Sequence, residues 1–336
     1  MPESKKNVLD VVIGYQEAVK VKEELAKTGS DFSDQKWATA NTIAKLHPKR
    51  LTLEVSEVID ETESTKTFRL VSTGGPLPPF QAGQYINLFV EIDGVQTARP
   101  YAISSSPAQR DYYDLTVKRV QDGFVTHYLL DHVKQGQQFL STSPMGTFYH
   151  NPIFHGQDLV FLAGGSGIAP AMSMLKNVFD NGLAHQFHFI YASSYIEDVI
   201  FIEELRELAQ NHDNFKLTEV ISRPPEGYQG ITGRLNADLI KELVGEVHNK
   251  TFYVCGPTPF NENCQTQLDS LDVESRFVRI EANGPPKNPD QLNHWPDSAS
   301  MEDEVTITIT GKGSFKAKAG EPLLNSLERN GYSAEN

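Results

Sequence analysis

Apolar and polar residues alternate along residues 51–58 and again along residues 66–71, which predicts two half-buried β-strands. Further runs of strand length follow at residues 83–90, 113–120 and 137–140, separated by turns rich in glycine and proline such as residues 73–79. Short strands at this spacing are typical of an antiparallel barrel. We therefore predict an antiparallel β-barrel over residues 47–152.

The pattern changes near residue 153. Residues 158–163 are a nearly continuous apolar run, typical of a strand that is buried on both faces of a sheet. Strands and helices then alternate, with strands predicted at residues 186–192, 215–221, 251–255 and 276–281, and helices ending near residue 181 and covering residues 198–210, 236–244 and 259–271. This alternation predicts an α/β domain with a parallel sheet over residues 153–283.

The segment before the barrel, residues 1–46, has the pattern of two helical pieces. The second covers residues 33–46 and ends at His47-Pro48, because the residue before a proline disfavours helical backbone. We expect a helical hairpin that packs on the next domain or on a second subunit. The apolar positions of the first piece are Val8, Leu9, Val12, Val19 and Leu25.

Two segments follow the α/β domain. Residues 284–302 have the proline-rich, polar composition of a linker. Residues 303–336 form a predicted strand–turn–strand unit and the start of a helix, and this piece is too short to bury a core of its own.

Composition and charge exclude several classes of protein. The 336-residue chain has 39% hydrophobic and 22% charged residues and a net charge of −14, which argues against binding to nucleic acid or an anionic membrane. The amino terminus lacks the order of a signal peptide, so we expect a cytoplasmic location. Cys255 and Cys264 lack the spacing of a disulfide framework, a zinc site or an iron–sulfur site.

Residues 99–107 combine an arginine, a tyrosine and a run of serines between two predicted strands. The Arg99 guanidinium matches a phosphate, the Tyr101 ring suits stacking on a planar ring system, and the serines offer short donors. The combination indicates a site for a planar, anionic cofactor. A surface turn with one arginine is the alternative when the segment is considered alone.

Two glycine-containing segments each precede a predicted helix. Residues 123–126 place a glycine and Thr126 at a helix start, where open backbone N–H groups bind an anion such as a pyrophosphate, with simple N-capping by Thr126 as the alternative. Residues 164–170 follow the first strand of the α/β domain, and their glycines allow the backbone to approach the phosphates of a dinucleotide. The second segment differs from GxGxxG, and no acidic residue ends the second strand, so an ordinary Rossmann dehydrogenase is not indicated.

Two other chemistries are not supported. His185 and His188 would lie on opposite faces of their strand, so they cannot bind one metal ion together. No G-x-S-x-G elbow of a serine hydrolase occurs in the chain.

Over residues 50–283 the chain resembles the ferredoxin–NADP reductase superfamily. Arg99-Pro-Tyr-Ala is similar to the flavin motif of that family, residues 123–126 to its pyrophosphate motif, residues 164–170 to its nicotinamide-nucleotide loop, and Cys255-Gly256-Pro257 to its late Cys-Gly-Pro turn. From about Asp303 the chain resembles the first hairpin and helix of a plant-type [2Fe–2S] ferredoxin, as carried by bacterial reductases of the hybrid-cluster-protein and oxygenase types. Because the chain stops before the cluster loop, we expect a truncated protein or fragment, with a natural cluster-free relic as the alternative.

The resemblance implies roles for individual residues. Arg99 would pair with a flavin phosphate, Tyr101 would stack on the flavin ring, and Cys255 would position the nicotinamide. It also implies FAD in preference to FMN, and a [2Fe–2S] cluster only if the protein continues past Asn336. The spacing of the two cysteines predicts no metal site in this chain. The catalytic residues implied are Tyr101, Ala102, Cys255 and, by a looser match, Glu281. The cofactor-binding residues implied are Arg99, Pro100, Tyr101, Ala102, Ile103, Ser104, Val117, Lys118, Gly123, Phe124, Val125, Thr126, Gly164, Gly165, Ser166, Gly167, Ile168, Pro170, Ser193, Ser222, Arg223, Cys255, Gly256 and Pro257.

Two positions bear on catalysis and on the hydride donor. Ala102 stands where the family has a serine or threonine that bonds flavin N5, so we expect a backbone N–H or a water to take over that bond. No basic cluster follows the second strand of the α/β domain, which favours NADH, although Ser222 and Arg223 offer a site for the 2′-phosphate of NADPH.

The expected function is that of a flavin-dependent NAD(P)H oxidoreductase, which passes electrons to an iron–sulfur, oxygenase, hybrid-cluster or corrinoid protein. A free-standing flavin or ferric reductase and a non-catalytic flavin-binding subunit are the alternatives.

Overall fold

The computed structural model describes residues 14–27, 38–121, 123–284 and 288–333. The residues up to Lys49 and those from Arg50 onward form two separate compact units. In the first unit, α1 covers Tyr15–Lys27 and α2 covers Ala38–Leu46, so the second helix ends before His47-Pro48 as predicted. The remaining positions predicted to be helical, residues 8–12 and 33–37, lie outside the described residues.

The second unit begins with an antiparallel sheet of six strands. These are β1 (Leu51–Thr62), β2 (Thr65–Ser72), β3 (Tyr85–Ile92), β4 (Val95–Ala102), β5 (Tyr113–Lys118) and β6 (Gln138–Ser141), in the order β4-β3-β6-β1-β2-β5. A bridge between Ile103 and Leu115 joins the two ends of this order and closes the sheet. Helix α3 (Phe124–His132) contributes Val125, Leu129 and Leu130 to the barrel core. The predicted barrel is confirmed.

A parallel sheet follows in the order β10-β9-β8-β7-β11-β12. Its elements are β7 (Asp158–Gly164), α4 (Ile168–Asp180), β8 (Gln186–Ser193), α5 (Ile202–Asn211), β9 (Phe215–Ile221), β10 (Ile231–Thr232), α6 (Ala237–Val244), β11 (Thr251–Pro257), α7 (Thr258–Ser270) and β12 (Val278–Asn283). Alternate side chains of β7 enter two different cores, Phe161 one and Val160 and Leu162 the other. Burial on both faces explains the continuous apolar run, and the predicted α/β architecture is confirmed.

Helix α5 begins four residues later than the sequence predicts. Val199 and Ile200 are buried, and Phe201 has a φ of 58°, in the left-handed region that a helix cannot contain. The prediction of a helix from residue 198 was therefore wrong, because burial of two β-branched residues overrides the local helical pattern.

The C-terminal segment consists of the hairpin β13 (Glu304–Ile309) and β14 (Gly313–Lys318) followed by α8 (Leu323–Arg329). Its two strands pair antiparallel, from Glu304 opposite Lys318 to Ile309 opposite Gly313. After α8, the Ser333 hydroxyl accepts a hydrogen bond of 3.0 Å from the backbone N–H of Gln96 on the edge strand β4. The strand–turn–strand unit and the following helix predicted for this segment are confirmed, and its likeness to a ferredoxin stays a prediction. Among the described helices of the whole chain, none has the length and apolar character of a membrane span.

Candidate functional site

A cleft of about 2300 Å³ lies between the barrel and the parallel sheet of the second unit. Strands β4 and β5 and the start of α3 form one side, and the carboxyl ends of β7, β8, β9 and β11 form the other. Ligands of open parallel sheets bind at these carboxyl ends. The cleft brings together these sequence-predicted residues: Arg99, Pro100, Tyr101, Ala102, Val117, Lys118, Gly123, Phe124, Val125, Thr126, Gly164, Gly165, Ser166, Pro170, Ser193, Ser222, Arg223, Cys255, Pro257 and Glu281.

Five residues assigned by resemblance do not line the cleft. Ile103 and Ile168 are buried in the cores of the barrel and of the α/β domain, respectively. The hydroxyl of Ser104 donates to the Asp114 carbonyl oxygen at 3.1 Å and lies 2.9 Å from Thr116 Oγ1, behind the cleft surface. Gly167 and Gly256 are buried as well, and they contribute the close packing of backbone rather than a surface. A direct contact of these five residues with a cofactor stays a prediction.

Arg99 projects from β4 into the cleft, and three of its donors are engaged. Its Nη1 donates to Thr97 Oγ1 and to the Ala98 carbonyl oxygen, both at 2.9 Å. Its Nη2 donates to Glu328 Oε2 of α8 at 2.7 Å. The guanidinium that the sequence assigns to a flavin phosphate is thus paired with a carboxylate of the C-terminal segment. No sequence signal identified Glu328, since a single glutamate on a polar helix carries no motif.

Tyr101 lies two residues after Arg99 on the same strand. Its hydroxyl is buried and has no hydrogen-bond partner within the described part of the chain. Burial raises the pKa of this phenol well above its ordinary value, with a smaller opposing effect of Arg99. An orphaned, neutral phenol at the cleft is a group that a bound cofactor can satisfy.

The start of α3 presents its open backbone amides to the cleft. Gly123 is the N-cap with no side-chain cap, so the N–H groups of Phe124, Val125 and Thr126 have no partner inside the helix. Thr126 Oγ1 instead accepts a hydrogen bond from the Val120 N–H at 3.3 Å, and a Cβ at Gly123 would lie 2.4 Å from it. The simple interpretation of Thr126 as an N-cap is therefore wrong, and an anion site at this helix start stays a prediction.

The glycine loop between β7 and α4 is fixed by close packing of backbone. A Cβ at Gly167 would lie 1.9 Å from the Cys255 carbonyl oxygen, and one at Gly164 would lie 2.8 Å from Phe260 Cγ. Gly165 has a φ of 54°, which L side chains rarely adopt. The buried Tyr191 hydroxyl donates to the Gly165 carbonyl oxygen at 3.0 Å and holds the loop from β8. Glycine at these positions is thus a requirement of the fold around the loop.

Cys255 and Glu281 occupy paired positions on the neighbouring strands β11 and β12. Both residues line the cleft. Burial raises the pKa of the Glu281 carboxyl, so that its neutral form persists at higher pH than in a solvated glutamate. The pair places a thiol and a carboxyl of raised pKa at the floor of the cleft.

The ends of β8 and β9 form the far part of the cleft. The Ser222 N–H donates to the Ser193 carbonyl oxygen at 3.0 Å, which joins the two strand ends. Arg223 Nη1 donates to the Tyr195 hydroxyl at 3.0 Å, and this neighbour raises the pKa of the guanidinium. Sequence reasoning missed Arg119, His127, Arg234 and Phe260, which also line the cleft but belong to none of the motifs quoted above.

Comparison with protein families identifies both halves of the cleft. Residues 51–150 match the oxidoreductase FAD-binding domain, and residues 161–266 match the oxidoreductase NAD-binding domain. The first match falls on the barrel, and the second falls on the domain that contains the parallel sheet.

Curated relatives include reductase subunits. The chain is 32% identical over 280 residues to the glycine betaine monooxygenase reductase subunit of Pseudomonas aeruginosa, which covers 80% of this chain and 76% of the relative. It is 31% identical over 240 residues to the ferredoxin reductase component of 3-ketosteroid-9-alpha-monooxygenase of Mycobacterium tuberculosis, covering 69% of this chain and 64% of that protein.

Solved structures share the fold. Phthalate dioxygenase reductase aligns with a TM-score of 0.61 at 20% identity, over 85% of this chain and 82% of its own. The FAD/NAD-binding domain of nitric oxide dioxygenase from Vibrio cholerae aligns with a TM-score of 0.64 at 24% identity, over 70% of this chain and 100% of its own.

Proposed function

Because the chain belongs to the ferredoxin–NADP reductase superfamily of FAD- and NAD-binding oxidoreductases, we propose that it is the reductase component of an oxygenase system. The chain is an NAD(P)H-dependent FAD oxidoreductase that passes electrons to an acceptor. The proposal specifies that acceptor as an iron–sulfur or oxygenase partner protein. The observation that carries it is the single cleft that joins the flavin motif on β4 to the glycine loop after β7.

The residues of the cleft fit a flavin. The orphaned phenol of Tyr101, the open amides at the start of α3 and the glycine packing around residues 164–167 are the features that support this fit. FAD, when bound, supplies the conversion of a two-electron hydride donation into single-electron transfers. Arg99 and the α3 amides would hold its phosphates, and the Tyr101 ring would pack on its ring system.

The other side of the cleft would hold the nicotinamide nucleotide. The backbone of the Gly164–Ser166 loop would approach the pyrophosphate, and Cys255 would exclude water from the place where nicotinamide and flavin meet. Glu281 would place a carboxyl, whose pKa is raised by burial, at the floor of the same place. These residues bind, orient and shield the reactants, which is where the protein contributes to this chemistry.

NADH is the donor that we propose. Arg223 is exposed, its guanidinium donates to the Tyr195 hydroxyl, and the sequence predicts no basic cluster after the second strand of the α/β domain. Arg223→Ala is expected to change the dissociation constants of NADH and NADPH by nearly the same factor. Titration under anaerobic conditions measures both constants. A selective loss of NADPH binding would show that Arg223 grips a 2′-phosphate and that NADPH is the donor.

The experiment that tests the proposal is anaerobic reduction of the FAD-loaded protein, monitored by its visible absorbance. NADH is expected to bleach the flavin absorbance, and a [2Fe–2S] ferredoxin added afterwards is expected to restore it. Restoration by ferric citrate or free flavin but not by ferredoxin would favour a free-standing reductase. A flavin that stays oxidised with both nucleotides would favour a non-catalytic flavin-binding subunit.

A further inference from the structure

We propose that Glu328 of α8 is an internal competitor for Arg99, so that flavin binding and docking of the C-terminal segment on the barrel oppose each other. The inference rests on the proposed role of Arg99 as a ligand of the flavin phosphate. It assigns the C-terminal segment a second task, the control of flavin loading, which is separate from any task in electron transfer.

The first observation is the geometry of the Glu328–Arg99 pair. Glu328 Oε2 accepts from Arg99 Nη2 at 2.7 Å, and Glu328 Oε1 accepts from the Thr97 hydroxyl. Both oxygens of the carboxylate are therefore engaged by strand β4. A carboxylate and a phosphate present the same kind of acceptor to a guanidinium, so Glu328 takes the position that the resemblance assigns to the ligand.

The second observation is the burial of this pair. The Glu328 side chain is only 2% exposed and that of Arg99 is 23% exposed. The Lys316–Glu304 pair of the same segment lies in solvent instead, with side chains that are 60% and 68% exposed. A buried pair excludes a third charged group more strongly than a solvated one, because the low dielectric strengthens repulsion between like charges.

The third observation is where the segment lies. Gly320, Pro322, Leu324 and Asn325 line the same cleft as Arg99 and Tyr101, so α8 forms one wall of the proposed flavin site. Beside the pair, the Gln96–Ser333 hydrogen bond attaches the segment to the same edge strand. A phosphate that displaces Glu328 from Arg99 therefore removes a principal attachment of α8 to the barrel.

The competition follows from the charges at Arg99 and not from a shortage of hydrogen-bond donors. Thr97 and Ala98 accept hydrogen bonds from two of the N–H groups of Arg99, and Glu328 accepts from a third. Two of the five N–H donors of the guanidinium remain for another acceptor. One positive charge neutralises one of the two anions. When the phosphate binds, the Glu328 carboxylate has to move into solvent, where hydration stabilises its charge. By linkage, release of the segment and binding of flavin then favour each other to the same extent.

The first test measures flavin affinity in the flavin-free protein by quenching of FAD fluorescence. Glu328→Gln is expected to bind FAD about tenfold more tightly than the wild type, because the competing charge is gone. Glu304→Gln is the matched control, since it removes the same charge from an exposed ion pair of the same segment. Unchanged affinity in Glu328→Gln, or a gain equal to that of the control, would overturn the proposal. Weaker binding would overturn it too, because Glu328 would then orient Arg99 for the flavin.

A cycle with Arg99→Gln separates this inference from the proposed flavin site. The Glu328→Gln substitution is expected to have no further effect on FAD affinity when Arg99 is already glutamine. If Arg99→Gln alone leaves FAD affinity unchanged, the proposed role of Arg99 fails, whatever Glu328 does. If Arg99→Gln weakens FAD binding but Glu328→Gln changes nothing, only the competition fails.

A second measurement needs no substitution, so it remains informative if a variant does not fold. FAD is expected to accelerate tryptic cleavage of the wild-type protein after Lys318 and Arg329, whose side chains are 63% and 57% exposed, because binding releases α8 from the barrel. Cleavage after Arg206, in the α/β domain, serves as the internal reference. Protection of the C-terminal segment by FAD would contradict the competition.

Discussion

The two regions of the cleft that we propose to bind anions are built in different ways. The glycine loop after β7 is fixed by its backbone, since a Cβ at Gly167 would lie 1.9 Å from the Cys255 carbonyl oxygen. The flavin region that we propose on β4 depends on the Arg99 side chain, whose charge is paired with Glu328 from a distant part of the chain. The geometry of a site formed by backbone is fixed once the sheet has folded. A site that depends on one side chain can lose that side chain to a competing partner within the protein.

The largest expected effect comes from breaking the backbone-encoded region. Gly167→Ala forces a Cβ onto the Cys255 backbone, and we expect a loss of about 3 kcal/mol in the free energy of unfolding, together with loss of flavin reduction by NADH. Gly165→Ala is the matched control, because a Cβ there meets nothing within 4 Å and only the φ of 54° is strained, at about 1 kcal/mol. Urea denaturation measures both. Equal stability of the two variants would show that the contact at Gly167 does not fix the loop.

The glycine loop was also the part of the site that the sequence predicted most completely. A strand, a cluster of glycines and a helix follow each other locally, so their spacing determines where the loop lies in the parallel sheet. The contact between Gly167 and the Cys255 backbone is different, because it joins residues 88 positions apart that only the folded sheet brings together.

The flavin region was predicted less completely for a related reason. The strand that carries Arg99 follows from local alternation, but its partner Glu328 lies 229 positions away on a helix without a motif. The late start of α5 at Ile202 has the same origin, since burial of Val199 and Ile200 depends on tertiary packing. Local elements and motifs are thus predictable from the sequence, whereas long-range pairings are not.

The next effect concerns the Tyr191 hydroxyl, which holds the glycine loop from β8. Tyr191→Phe removes the hydroxyl that donates to the Gly165 carbonyl oxygen and accepts from the Ile200 N–H, and we expect a loss of about 1–2 kcal/mol in the free energy of unfolding and a weaker affinity for NADH. Tyr253→Phe is the comparison, because that buried hydroxyl lies 2.8 Å from His155 Nδ1, away from the loop. It is expected to cost similar stability with NADH affinity intact. If both variants lose affinity equally, Tyr191 acts through general stability only.

A smaller effect concerns the charge of the Glu281 carboxyl at the floor of the cleft. Burial raises the pKa of Glu281 in the folded protein, so the fold favours the protonated carboxyl over the charged one. The resulting stability is fully present below the ordinary pKa of 4.5 and is lost as the pH rises through the higher pKa of the folded state. Glu281→Gln is therefore expected to be more stable than the wild type at neutral pH and to lose that advantage in acid. Thermal unfolding from pH 4 to pH 8, about the range over which such groups titrate, measures the difference. A constant difference between the two proteins at every pH would mean that the Glu281 carboxyl does not titrate in this range.

The smallest expected effect tests one hydroxyl in the flavin region. Ala102 lines the cleft, and the nearby serines are engaged elsewhere: Ser105 Oγ accepts from the Asp114 N–H, and Ser106 Oγ accepts from the Ala108 N–H. These contacts leave a backbone N–H or a water to supply the bond that a hydroxyl at this position would make. Ala102→Ser adds one hydrogen bond of about 1 kcal/mol and is expected to change the rate of flavin reduction by NADH by about fivefold.

Ala102→Gly is the matched control in stopped-flow measurements, since it alters the same position without adding a hydroxyl. An equal change in both variants would point to the backbone of β4 as the cause. An unchanged rate in Ala102→Ser would show that the flavin region already supplies this bond without a side chain. In that case this part of the site, like the glycine loop, would depend on backbone geometry. Arg99 would then be the feature by which the flavin region still differs from the glycine loop.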